Sequence, residues 1–339
     1  MKYTNQMNHF IDEQFELLPK LLAEDIQVEE GGHEYKRIVF VGSGSSLNAA
    51  RISERYFAAT SSAQCFFLSP NQYLPQSAGL GRHLLVAISQ TGTSIATIDS
   101  IIAAKKRAVP TILISATKDT RKREVADQFI DLYCEDEKIG PKTVGFSATV
   151  VRLIQLAMAF NTSGETRARN KAELLQIVHA LPVIKKNTEA WIETHQEWKQ
   201  ATYITVASDE EFKATIDEGA LKLLETLMVP VPAYEIGEFT HGPHRLIKAG
   251  SHHIFIGSGQ TSGLTQKVAE YAKEQQANIL CFTLEEGDID LTPITSSFGV
   301  ELAISIVFQV LANELALLRG FNPDEKVHQN FFKFIGTKD

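Results

Sequence analysis

Arg37-Ile38-Val39-Phe40-Val41, followed at once by Gly42-Ser43-Gly44-Ser45-Ser46, sets the architecture. An apolar run without polar alternation fits a strand buried on both faces, and such strands belong to parallel sheets covered by helices. The Gly/Ser stretch ends the strand, and Leu47, Ala50, Ile52 and Phe57 then recur at helical spacing. Leu84-Leu85-Val86-Ala87-Ile88 repeats the scheme, running into Ser89-Gln90-Thr91-Gly92-Thr93-Ser94 and then Ile95, Ile98, Ile101 and Ile102. Pro110 to Ser115 reads as a third strand of the same kind. The expectation is an α/β fold.

The second half carries the same pattern. Tyr203 to Ser208 matches the first strand and turn at an offset of about 165 residues, and Ile254 to Gly259 matches the second at about 169. Both offsets are near half the chain, which argues for tandem duplication of one unit. The link between the copies reads as helical: Ala172 to Ala180, then Pro182, then a polar helix carrying Trp191 and Trp198. The expected organisation is a helical segment over 1–34, a first subdomain over 35–170, a second over 171–320 and a tail over 321–339.

Composition excludes several classes. The 339 residues include 33 basic and 41 acidic side chains, for a net charge of −8, and no Lys/Arg block is evident. Nucleic acid is therefore not an expected partner, since affinity for it rests on clustered cations. Cys65, Cys134 and Cys281 lie far apart without CxxC spacing, which suggests neither a disulfide framework nor a zinc knuckle and fits a reducing cytoplasm. Asp12, Glu13 and Glu16 interrupt any signal-peptide core. Val300 to Leu318 is the most apolar long window, but Glu301, Gln309, Asn313 and Glu314 make it a buried helix rather than a membrane span.

The two copies differ at their turns. Gly and Ser at a helix start offer backbone N–H groups and hydroxyls to an anion, aided by the helix dipole. The first copy has this chemistry twice, at Gly42–Ser46 and Ser89–Ser94; a tight βα connection with serine caps reads equally well there. The second copy instead has Ser208-Asp209-Glu210-Glu211, whose carboxylates would repel a phosphate. Neither turn of the first copy is a Walker loop, and Leu47 breaks the GxGxxG spacing of dinucleotide folds.

A third group of residues carries acid–base chemistry. Asp217 to Glu225 reads as a helix on which Lys222 and Glu225, three apart, share a face; the common form of such a pair is a solvated ion pair. Tyr234-Glu235-Ile236-Gly237-Glu238-Phe239-Thr240-His241-Gly242-Pro243-His244 places an acid and imidazoles in a Gly/Pro loop, where scaffolds of this class hold reactive groups. His241 and His244 lack a third ligand at metal spacing, so no metal is expected. His252 and His253 read as edge residues ahead of a strand.

At these residues the chain resembles the sugar-isomerase (SIS) domain family, and within it the isomerase half of glucosamine-6-phosphate synthases. The resemblance rests on Gly44-Ser45-Ser46, Ser89-Gln90-Thr91-Gly92, Glu218-Gly219-Ala220-Leu221-Lys222-Leu223-Leu224-Glu225, Gly237-Glu238-Phe239-Thr240-His241-Gly242-Pro243 and Asn330-Phe331-Phe332-Lys333. It implies two tandem SIS subdomains, each a flavodoxin-like α/β/α sandwich. By position it implies a phosphate grip at Ser89, Gln90, Thr91 and Ser94 and sugar contacts at Ser45 and Ser46. It further implies a proton-shuttling Glu225 beside Lys222, a ring-opening His241 and a Schiff-base Lys333. No cofactor is implied, and the histidine loop shared between subunits implies a homodimer.

The chain departs from the family pattern in places. Thr91, Thr93 and Ser94 replace the usual Ser, Glu and Thr of the phosphate turn, so hydroxyls survive. Lys142 and Thr143, within Gly140 to Gly145, stand where the family has Val-Ala-Ser-Thr-Lys, and Lys326 to His328 stand where it has Pro-Arg. No glutaminase-like segment precedes the first repeat, so glutamine is not the expected nitrogen source. The expected activity is isomerisation coupled to deamination of an amino sugar 6-phosphate. The alternatives are a deglycase acting on a fructosyl- or glucosyl-amino acid 6-phosphate and a non-catalytic sugar-phosphate sensor.

Overall fold

The computed structural model describes residues 5–28, 35–161, 163–259, 263–294, 296–328 and 330–337, apart from the side chains of Asn161, Phe332 and Lys333. It divides into two compact units: Glu16–Lys138 with Val144–Lys171 and Lys326–Asp339, and Ala172–Glu325 with Met1–Phe15 and Ile139–Thr143.

The chain opens with helix α1 (Gln6–Ala23). The first repeat then runs β1 (Arg37–Val41), α2 (Ser45–Ile52), α3 (Glu54–Thr60), β2 (Gln64–Leu68), α4 (Pro70–Gln76) and β3 (Leu84–Ile88). It continues with α5 (Ile95–Lys105), β4 (Thr111–Ser115), α6 (Thr120–Arg123), β5 (Gln128–Asp131) and α7 (Val144–Asn161). Its five strands pair in parallel in the order β2-β1-β3-β4-β5. Every residue of β3 and β4 is buried, as expected for strands covered on both faces. Val39, Val41, Leu85, Ala87 and Leu113 form one core layer with Tyr73 and Ile101 from the helices. Arg152 on α7, 3% exposed, holds the end of the N-terminal segment through Glu24 Oε2 at 2.7 Å, while Gln155 Nε2 donates to the carbonyl of Glu24 at 2.7 Å.

Helix α8 (Gly164–Thr194) leads into the second repeat, which runs β6 (Ile204–Ser208), α9 (Lys213–Leu227), β7 (Ala233–Glu235), α10 (Ile236–Phe239) and β8 (His252–Ile256). Helix α11 (Gly263–Glu274), β9 (Asn278–Phe282) and α12 (Glu301–Leu318) follow, and a short α13 (Phe331–Ile335) lies in the tail. The sheet order is β7-β6-β8-β9, all parallel. Placing β6 on β1 and β8 on β3 makes the four strands of the second sheet coincide with β2-β1-β3-β4, as duplication requires, while β5 has no counterpart there. Both are the flavodoxin-type order, in which the first strand lies between the second and third.

Helix α12 is, among the described residues, the one long and apolar enough to cross a membrane, and it is 83% buried against protein. It packs along α9. The contact is so close that a Cβ on Gly219 would lie 2.3 Å from the Phe308 ring. Three sequence expectations are corrected here. Trp198 does not share a helix with Trp191: α8 ends at Thr194, and Trp198 lies in a separate 3-10 turn over Gln196–Gln200. Helix α8 continues through Pro182 because the flanking Leu181 and Ile184 are both fully buried, an anchorage that outweighs the missing N–H bond. His252 and His253 are not edge residues: they lie inside β8, between β6 and β9, and both are buried.

His253 Nε2 pairs with Ser251 Oγ at 2.7 Å and Nδ1 with Thr205 Oγ1. Burial, with a smaller push from His252, lowers its pKa to about 4. An unfolded imidazole titrates near 6.5, so as pH falls from about 6.5 to 4 the unfolded chain takes up the proton first. This contribution to stability is present in full above that window and is lost across it, by about 3 kcal/mol in all. Urea unfolding at pH 7, 5.5 and 4 should show that decline in the wild type and a shallower one in His253→Gln. At the helix contact, Gly219→Ala should lower stability by about 2 kcal/mol through overpacking, despite the better helix propensity of Ala. Urea denaturation at pH 7 measures it.

Candidate functional site

In the first-repeat unit the expected binding residues of the two Gly/Ser turns lie where the strand order reverses, whereas Lys142 and Thr143 fall in the other unit. β1 and β3 are adjacent, and their connections leave toward β2 on one side and β4 on the other. Such a point opens a crevice at the carboxyl ends of the strands, where ligands of this class of fold bind. The turns Gly42–Ser46 and Ser89–Ser94 lie at those two ends.

Each turn is built to expose donors. Gly44 takes φ 56° and ψ −130°, a conformation for glycine, and caps α2 without a side-chain bond. Ser46 is buried and Ser45 half-buried on the first turn of α2. Gly92 has φ +68°, and a Cβ there would stand 2.8 Å from Thr117 Cβ, so only glycine closes the second turn. Its N–H donates to the Ser89 carbonyl at 3.0 Å. Thr91 and Thr93 join hydroxyls at 2.7 Å, and Thr97 Oγ1 donates to Ser94 Oγ at 2.9 Å. Ser94 begins α5 without making a capping bond. Gln90, 9% exposed, keeps a buried Nε2 with no hydrogen-bond partner. The uncapped start of this eleven-residue helix offers its first backbone N–H groups to an anion.

The second repeat fills the equivalent crevice from its own chain. Asp209, at the end of β6, accepts from the Ser258 N–H and hydroxyl beyond β8, each at 2.9 Å, and from Thr265 Oγ1 at 2.7 Å. The sequence indicated repulsion of phosphate at this turn; the geometry adds that the carboxylate itself occupies the gap.

The acid–base residues of this unit lie on α9. Lys222 is fully buried, not the solvated partner that such spacing usually gives. Its Nζ donates to Glu225 Oε2 at 2.6 Å and lies 3.3 Å from Glu218 Oε1. Burial opposes the ammonium, but the two carboxylates together outweigh it and hold Lys222 above the usual lysine pKa. The Glu218 side chain is 3% exposed and that of Glu225 is 32% exposed. The triad thus presents one carboxylate to the surface and keeps one inside. Glu218 was not singled out by sequence, although its i,i+4 spacing to Lys222 was the available signal.

His241 follows α10, whose first N–H groups are capped by Glu235 at 2.8 and 2.9 Å. Its Nδ1 donates to the Gly237 carbonyl at 2.9 Å, which leaves Nε2 as the acceptor of the neutral ring. The ring is exposed, and Gly242 at φ 140° gives the loop its bend. Lys142 Nζ donates to the Ile139 carbonyl at 3.1 Å, and Thr143 is fully buried. Lys333 lies on α13, and its side chain is outside the described residues.

Sequence comparison bears on these turns directly, for the pattern of the SIS domain matches residues 33–161. The chain carries a SIS domain. The glutamine–fructose-6-phosphate aminotransferase of Thermococcus kodakarensis is 26% identical over 306 residues, which cover 86% of this chain and 51% of that protein. The chain spans about half the length of the curated relatives it matches. Among solved structures, the glucosamine-6-phosphate deaminase of Thermotoga maritima superposes with a TM-score of 0.80 at 22% identity, covering 96% of this chain and 98% of that one. The C-terminal domain of glucosamine-fructose-6-phosphate aminotransferase from Francisella tularensis gives 0.79 at 19%, covering 96% and 99%. At these identities the superpositions establish a shared two-repeat α/β fold.

The triad generates a stability test. Lys222→Met strands Glu218 in the interior and should cost about 3 kcal/mol or more, whereas Lys222→Met with Glu218→Gln should recover much of the loss. Urea titration of the three proteins measures both effects.

Proposed function

We propose that this SIS protein is an aldose–ketose isomerising enzyme that deaminates a 2-amino-2-deoxyaldose 6-phosphate to the ketose 6-phosphate and ammonia. The observation that carries the reading is the buried Lys222 held between Glu218 and Glu225, with Glu225 reaching the surface. Moving a proton from C2 to C1 of an open-chain sugar needs one carboxylate that abstracts it and returns it, with a cation beside the developing enolate charge. Glu225 is assigned the transfer. Lys222, kept charged by Glu218, is assigned the cation. The product of the transfer is an imine at C2, which hydrolysis converts to the ketone and ammonia.

The remaining roles follow the chemistry of each group. The Ser89–Ser94 turn, with the unpaired Gln90 amide, takes the phosphate. Ser45 and Ser46, with Lys142 and Thr143, take the sugar hydroxyls. His241, with Nε2 as its acceptor, handles the ring-oxygen proton during opening, and a homodimer supplies its loop across subunits. Lys333 is assigned the amine that displaces ammonia from the C2 imine, giving a Schiff base that water then hydrolyses to free the ketose and return the lysine amine. The substrates are phosphorylated intermediates of the cytoplasm.

A mass-spectrometric turnover assay on a pooled panel tests the reading. The panel holds glucosamine 6-phosphate, galactosamine 6-phosphate, fructose 6-phosphate with ammonia, and fructosyl- and glucosyl-amino acid 6-phosphates. The expected result is conversion of an amino sugar phosphate, with Glu225→Gln about 10³-fold slower and fructose 6-phosphate binding nearly unchanged. Release of an amino acid would make the protein a deglycase, and binding without conversion of any member would make it a sensor. Unchanged rates in Glu225→Gln would remove that residue from the proton transfer.

A further inference from the structure

Against the expectation of no Lys/Arg block, Lys118-Asp119-Thr120-Arg121-Lys122-Arg123 places four cations in six residues of a chain whose net charge is −8. The run follows β4, which pairs in parallel with β3, so it starts at the same end of the sheet as the Ser89–Ser94 turn. The two segments touch. Ala116 N–H donates to the Gln90 carbonyl at 2.8 Å, and Thr117 fills the space that a side chain on Gly92 would need.

The run is held in a fixed shape by one of its own cations. Arg123 Nε donates to the Thr117 carbonyl at 2.7 Å, its guanidinium bonds Asp131 at 2.7 Å, and its centre lies 4.7 Å from the Phe129 ring centroid. Asp119 caps α6 by accepting from the Arg121 N–H at 3.0 Å. Slight desolvation opposes its charge, but that bond and the cations of Arg121 and Lys122 hold its carboxyl below the usual range. Arg121 Nε lies 3.5 Å from Asp119 Oδ1 and Arg123 is matched by Asp131, and the four cations still outnumber the two carboxylates. Lys118 is exposed directly after Thr117, and the Arg121 side chain is 89% exposed.

We propose that Lys118, Arg121 and Lys122 form a cationic rim that draws dianionic phosphate esters to the Ser89–Ser94 turn and sets the preference for phosphorylated over neutral sugars. The inference rests on the phosphosugar reading given above. A net acidic protein repels a phosphate dianion at long range, and a local positive field at the binding turn reverses that sign where it matters for encounter. One cation about 7 Å from a dianion in water-like surroundings changes affinity roughly fivefold at low salt. At 0.5 M salt the screening length falls to about 4 Å and the effect of one cation falls below about twofold.

Titration calorimetry with inorganic phosphate and with fructose 6-phosphate, at 25 mM and 500 mM NaCl, tests the rim. At low salt, Lys118→Met should raise Kd roughly fivefold and the triple Met variant at 118, 121 and 122 roughly thirtyfold. At 500 mM Lys118→Met should lie within about twofold of the wild type and the triple variant should lose most of its deficit, with thermal unfolding unchanged throughout. Lys118→Glu provides a reversal at a single exposed site should the triple variant fold poorly, and its Kd should rise more than that of Lys118→Met. A wild type that binds both ligands, with variants within twofold at low salt, overturns the rim and leaves the phosphosugar reading standing. A loss that persists undiminished at 500 mM also overturns it. A wild type that binds neither ligand overturns the phosphosugar reading itself.

Discussion

Parallel strands that send their connections to opposite sides of a sheet leave a gap between their carboxyl ends, and backbone donors converge on it. Both repeats contain such a gap, between β1 and β3 and between β6 and β8. The position of almost every polar feature follows from it. The Gly/Ser turns exist because chain must leave two adjacent strands steeply and in opposite directions. Gly44 and Gly92 take left-handed backbone conformations there that a side chain would strain. The basic run lies on the loop after β4, the next one along the same end of the sheet.

The second constraint is the burial of a charge. Lys222 lies within a helix whose other faces pack against α12 and the sheet, and it is tolerated because two carboxylates on its own helix reach it. Gly219 lets α12 come close enough to close the interior around that charge. One stretch of α9 therefore serves packing and electrostatics together. A larger residue at 219 displaces Phe308, and a neutral one at 222 strands an acid.

Local pattern made the architecture legible. Apolar runs of five residues ending in Gly or Ser gave β1, β3 and β4, and the recurrence in the second half gave β6 and β8. The polar interruptions of Val300 to Leu318 identified a buried helix rather than a membrane span. The errors came where burial is decided by distant chain. His252 and His253 look like edge residues until the strand order puts β9 outside them. Pro182 looks like a helix end until the flanking Leu181 and Ile184 are seen to be buried. In the site, the spacing of Lys222 and Glu225 was visible, but whether the pair is wet or dry depends on α12, nearly a hundred residues later. The charge count hid the basic run after β4, because a net value averages over the whole surface.

Asp209 gives the two repeats different thermodynamics. Its carboxylate is covalently part of the second repeat, so the donors of Ser258 and Thr265 are satisfied in every folded molecule, at any solute concentration. In the first repeat the Gln90 Nε2 is buried without a hydrogen-bond partner in the chain. On the reading proposed above, the anion there comes from solution rather than from the chain itself. By mass action it would stabilise the first repeat in proportion to the logarithm of its concentration, so the folding stability of that half would be coupled to the supply of its ligand.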